Sequence, residues 1–126
     1  MEPVSRSSWK LKAEPQLRVP LGFEATFDAE ALPQIRAGLL PEGMEDKWFI
    51  FAEGHWVYFC RSWTGTFVYG IRLAAQGEAH VVESWVNRDP SEYTGTDVEY
   101  DRALLGFLID AFLLRRPAAS GTARRQ

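Results

Sequence analysis

Residues 47 to 87 repeat one layout four times: a run of aromatic and β-branched residues, then a short polar stretch containing Gly. Lys47 to Ala52 has the composition of a buried strand. Glu53-Gly54 follows, a hairpin signal because Gly accepts positive φ. Trp56 to Arg61 returns, Ser62-Trp63-Thr64-Gly65 turns again, and Thr66 to Ala74 makes a third run. Gln76-Gly77 turns once more, and His80 to Asn87 is the fourth. Strands joined by such short turns predict an up-and-down antiparallel sheet.

Side chains alternate faces along a strand, so loop lengths decide which residues share a face. Glu53-Gly54 and Gln76-Gly77 as two-residue loops, with a four-residue loop at 62–65, predict a row of Trp48, Phe59, Val68 and Trp85. Asp46, Arg61, Thr66 and Asn87 form the next row towards one end, and Ile50, Val57, Gly70 and Glu83 the next towards the other. Phe49, Phe51, Trp56, Tyr58, Cys60, Phe67, Tyr69, Ile71, Val82 and Val86 fall on the opposite face, the expected core. A one-residue slip would exchange the faces of a strand. Sheets are normally sandwiched, so a neighbouring element is expected over the Trp48 row. Partial cover would leave a pocket, with room at Gly70 and polar contacts from Glu83 and Arg61.

The flanks predict the remaining elements. Met1 to Ser8 is polar and is expected to be loose. Trp9 to Lys12 alternates like a short edge strand, Pro15 and Pro20 bracket an extended piece, and 21–27 carries a weak strand pattern. Asp28 is an N-cap candidate for a helix near 28–40, with Leu32, Ile35 and Leu39 at helical spacing and Gly38 at its end. Pro33 leaves the start open between 28 and 32. Thr96 with Glu99 reads as a capping box for a long helix over 97–115. Its expected inner stripe is Tyr100, Ala103, Leu104, Phe107, Leu108 and Ala111, with a polar strip at Asp101, Arg102, Gly106 and Asp110. The predicted class is α+β: a four-stranded antiparallel meander, open to one added N-terminal strand, packed against a long C-terminal helix and the shorter helix near 28–40. The organisation is a loose end at 1–8, a single domain over 9–116, and a disordered basic tail at 117–126.

Composition narrows the functional classes. With 126 residues the chain can bury a core without staples. Five Trp are many for this length, and aromatics crowd in cores, interfaces or ligand platforms. The single cysteine, Cys60, permits no internal disulfide and sits mid-strand, where it reads as a small buried hydrophobe. No apolar run reaches membrane-spanning length, and the first residues lack a leader pattern, so a cytoplasmic protein without membrane association is expected. Net charge is −3, with an acidic body between basic ends, which argues against nucleic-acid binding. Leu105, Ile109, Phe112 and Leu113 lie off the helix stripe, and a homodimer through helix 97–115 would cover them.

Strand order brings loops 43–46, 62–65 and 87–96 to one end of the sheet, the usual place for binding residues. Arg61 with Trp63 can hold an anion and stack a flat ring; alternatively, Arg61 opposite Asp46 is a cross-strand ion pair. Candidate ligand-binding residues are Asp46, Trp48, Arg61, Trp63, Glu83, Trp85 and Arg88. Glu45, Asp46, Glu83 and Asp89 lack metal-site spacing, and His55 and His80 have no triad partners, so neither metal nor cofactor is expected.

Met44-Glu45-Asp46-Lys47-Trp48-Phe49 followed by Arg61-Ser62-Trp63-Thr64-Gly65 resembles a pattern in a family of small bacterial proteins to which no activity is attached. The likeness spans roughly residues 38 to 88. It implies a bacterial cytosolic protein and carries over no catalytic role. Two functional classes follow. The first is a binding domain holding a small anionic or aromatic ligand, or a protein segment, at the Arg61/Trp63 end. The second is a small hydrolase or transferase using Glu45, Asp46 or Glu83.

Overall fold

The computed structural model describes residues 4–75 and 79–115. The fold is α+β, with six antiparallel strands rather than four. They are β1 (Arg18–Pro20), β2 (Thr26–Phe27), β3 (Trp48–Glu53), β4 (Trp56–Arg61), β5 (Phe67–Leu73) and β6 (Ala79–Asn87). The main sheet runs β1-β6-β5-β4-β3, and β2 pairs with the other part of β6. The added strands thus come from 18–27. Trp9 to Lys12 forms no strand, and Lys12 N–H donates to Gly65 O at 3.0 Å. The predicted turn at Gln76-Gly77 and the tail at 117–126 lie outside the described residues.

Helix α1 (Ala31–Ala37) starts where the Asp28 carboxylate accepts from Ala31 N–H at 2.8 Å, and it ends at Gly38, whose φ is 76°. Helix α2 (Val98–Phe107) is capped by Asp97, which accepts from Glu99 and Tyr100 N–H, so the cap is one residue later than the Thr96 box predicts. The helix widens into a π turn over Leu108–Leu113, where Leu114 N–H reaches back to Ile109 O. Its buried face is Asp101, Leu105, Leu108, Ile109 and Leu113, which shares only Leu108 with the expected stripe. Tyr100 and Phe107 are exposed instead. A helix apolar nearly all round has no unique stripe in its sequence, so packing decided the orientation.

Both sheet faces are covered. Helices α1 and α2 lie over Trp48, Ile50, Val57, Phe59, Tyr69, Ile71 and Val86. The other face, Phe49, Phe51, Tyr58, Cys60, Phe67 and Trp85, is closed by Val4, Trp9 and Leu11. Val4, Arg6, Trp9 and Leu11 are therefore engaged with the sheet: Arg6 lies 5.4 Å from the Phe51 ring centre and bonds Glu53 and Glu14.

The faces of β3 and β4 follow the predicted alternation, with the hairpin loop at Gly54-His55 in place of Glu53-Gly54. A β-bulge between Phe59 and Cys60 then changes β5. Cys60 opposes Phe67, but Phe59 opposes Tyr69, so Val68 is the extra residue. Beyond it Tyr69 and Ile71 swap onto the helix-covered face, and Gly70 and Trp85 go to the other. The predicted row of Trp48, Phe59, Val68 and Trp85 is broken at every junction: Trp48 opposes Arg61, the bulge leaves Val68 between pairs, and Trp85 opposes Gly70. Gly70 makes no pocket, because the Trp85 indole fills the space a side chain there would need.

Candidate functional site

The three predicted loops meet at one end of the sheet. A cleft of about 400 Å³ opens there, lined by Lys47, Arg61, Trp63, Thr64, Glu92, Tyr93 and Thr94. Lys47 enters β3, Arg61 leaves β4, and Trp63 and Thr64 form the next turn. That turn is closed by Gly65 N–H to Arg61 O and by Arg61 N–H to Thr66 O, both at 2.8 Å. Gly65 has φ 76° and packs against the Lys10–Lys12 backbone, so a side chain would be blocked twice over.

Arg61 is oriented by stacking rather than by an ion pair. Its guanidinium carbon lies 4.8 Å from the Trp48 ring centre, and Trp48 stacks on Tyr69 at 6.1 Å and 12°. The predicted Asp46–Arg61 pair does not form. The Asp46 carboxylate accepts from Glu42 N–H at 2.9 Å, and Arg61 opposes Trp48. Among the described residues the guanidines of 6, 18, 36, 72, 88 and 102 each hold a carboxylate or carbonyl. Arg61 holds only the face of Trp48. Lys47, exposed beside it, also makes no ion pair among them.

Trp63 is 68% exposed, yet its indole N–H donates to Met44 O at 2.8 Å, which holds the ring in place. Ser62 ties the same two loops together through its hydroxyl to Asp46 O at 2.7 Å and its N–H to Lys47 O at 2.9 Å. Glu92 spends one carboxylate oxygen on Asn87 Nδ2 at 3.0 Å.

Behind the cleft lies a buried polar cluster. Asp101, fully buried, accepts from Tyr93 at 2.6 Å, from Tyr69 at 2.9 Å and from Arg88 at 2.7 Å. Burial raises the Tyr69 and Tyr93 phenols above their ordinary range, with the Asp101 carboxylate adding to both, so both stay protonated donors. The bulge is what brings Tyr69 to this side. Tyr93 presents its ring to the cleft while its hydroxyl is committed inward.

The remaining predicted residues scatter. Glu83, on β6, pairs with Arg72 at 3.1 Å and lies three strand spacings from β3, roughly 14 Å across the sheet. Trp85 is buried on the far face beneath Arg18. Trp48 is 7% exposed and serves as the backing of Arg61. Arg88 is committed to Asp101 and Gly95 O. Asp101 and Tyr69 were missed as site residues. An acid at 101 shares a helical face with Leu105 and Leu108, a signal that was available but lost in the wrongly assigned stripe.

Cys60 is fully buried, and burial pushes its thiol up, so it is inert packing. Among the described residues no group of three or more His, Cys, Asp or Glu could hold a metal ion, and no helix is long and apolar enough to cross a membrane. No protein-family model, no curated protein and no solved structure matches this chain.

Proposed function

We propose that this protein is a binding domain whose loop-end cleft holds a small anionic ligand. The observation that carries this reading is Arg61: it lines the cleft, is held flat on Trp48, and has no carboxylate or carbonyl partner among the described residues. An unspent guanidinium offers five donors in a planar fork suited to phosphate or carboxylate. Lys47 adds a second charge from the adjacent strand. The resembling segments, 44–49 and 61–65, supply Lys47, Arg61, Trp63 and Thr64 of this cleft, which supports reading them as a ligand motif.

Against the hydrolase or transferase reading, Glu83 is paired at the other end and the Asp46 carboxylate is bonded to its own loop. A twofold contact through the helix, also proposed, would rest on Tyr100, Phe107 and Phe112, because Leu105, Ile109 and Leu113 are interior.

Calorimetric titration of inorganic phosphate into the wild type and Arg61→Ala tests the cleft. Saturable binding weakened at least about tenfold by the substitution is expected, given that a charge-assisted hydrogen bond is worth roughly 1.5–3 kcal/mol. Unchanged affinity in Arg61→Ala would remove the proposal.

A further inference from the structure

Resting on that reading, we infer the ligand class: a nucleoside 5′-monophosphate, its base against Trp63 and Tyr93 and its phosphate on Arg61 and Lys47. Trp63 is the most exposed of the described aromatic side chains, but the bond to Met44 O already restrains it. A restrained exposed indole is a stacking platform, because little rotamer freedom is left to lose on binding. Tyr93 offers only its ring, since its hydroxyl is engaged by Asp101. The cleft therefore offers two aromatic surfaces on which a flat heterocycle can stack, with Thr64, Glu92 and Thr94 as the neutral and acidic polar groups beside them.

The charges select how many phosphates fit. Lys47 and Arg61 match the two negative charges of a monophosphate, while Glu92 in the same cleft opposes a longer anion. Glu92 also keeps one carboxylate oxygen free of the Asn87 bond, an acceptor for a ribose hydroxyl or a ring N–H. The volume of about 400 Å³ accommodates a ligand with base, sugar and one phosphate.

Titrations of adenosine 5′-monophosphate, uridine 5′-monophosphate, ribose 5-phosphate and adenosine by calorimetry decide the matter. The nucleotides are expected to bind at least about fivefold tighter than ribose 5-phosphate, the smallest effect a base–aromatic stack produces. Trp63→Ala should erase that gap, and Trp63→Phe, which keeps a ring, should retain most of it. Arg61→Ala should weaken the nucleotides and ribose 5-phosphate alike. If ribose 5-phosphate binds as well as the nucleotides, and through Arg61, the inference about the base fails while the anion site stands. If adenosine binds as tightly as its monophosphate, or if none of the three phosphate compounds binds, the anion reading fails as well. Nucleotide affinity untouched by Trp63→Ala would also overturn the inference.

Discussion

The two ends of the sheet treat charge in opposite ways. At the β3–β4 turn end, Arg6 grips Glu53 at 2.7 Å, Arg72 pairs with Glu83 at 3.1 Å, and Arg36 donates to Gly54 O at 2.9 Å. At the loop end, Arg61 rests on an indole and Lys47 stands without an ion pair among the described residues. The residue types are the same, and the difference is the supply of acceptors. An acid placed across the strand turns arginine into architecture. An aromatic ring placed there holds the guanidinium still without neutralising it, which leaves its donors for a ligand. Two other cations at the loop end are spent among the described residues: Arg18 on Glu14 at the sheet edge, and Arg88 on Asp101 behind the cleft wall, where that carboxylate anchors Tyr93.

The largest expected effect comes from breaking that anchor. Asp101→Ala leaves the largely buried Arg88 without its carboxylate and two phenol donors without their acceptor. A loss of about 3–5 kcal/mol is expected by urea denaturation. A loss below 1 kcal/mol would mean that water reaches the cluster and that Tyr93 is not rigidly held.

Next in size is Gly70→Ala. A methyl group there overlaps the Trp85 indole, so about 1–3 kcal/mol should be lost by the same measurement while phosphate affinity at the other face is unchanged. Lost affinity would show that the two sheet faces are coupled, contrary to the separation drawn between them.

What the sequence revealed follows from the range of each signal. Strands β3 and β4, their alternation, the meeting of three loops and the Arg61/Trp63 pair all depend on patterns within a few residues, and all were legible. The fate of Tyr69 was not. Phe67, Val68, Tyr69 and Ile71 are apolar in a row, so nothing in their order reveals which one is the extra residue of a bulge. The same saturation hid the inner face of α2, where Leu105 and Leu104 are equally apolar and only one is fully buried. The Asp46–Arg61 pairing assumed a hairpin loop one residue early, which slid Arg61 past Trp48, its true neighbour.

A smaller effect concerns pH at the turn end. The hydrogen bonds from Arg6 hold the Glu53 carboxyl below the ordinary glutamate range. A depressed carboxyl contributes stability above its unfolded pKa, and that contribution is lost as pH falls through its folded value. Glu53 is largely exposed, so solvent screens the effect. The stability gap between the wild type and Glu53→Gln should therefore be small at neutral pH and shrink below the ordinary glutamate range. A gap that widens on acidification would show that Arg6 is not the partner that sets this carboxyl.

The contrast between the two ends is tested most directly by following backbone and indole N–H resonances while inorganic phosphate is added to the full chain. The account predicts saturable shifts at Lys47, Arg61, Thr64 and Tyr93 and at the Trp63 indole N–H, with none at Arg72 or Glu83. Shifts centred on the Arg72/Glu83 end, or unsaturable shifts spread evenly over the molecule, would contradict it.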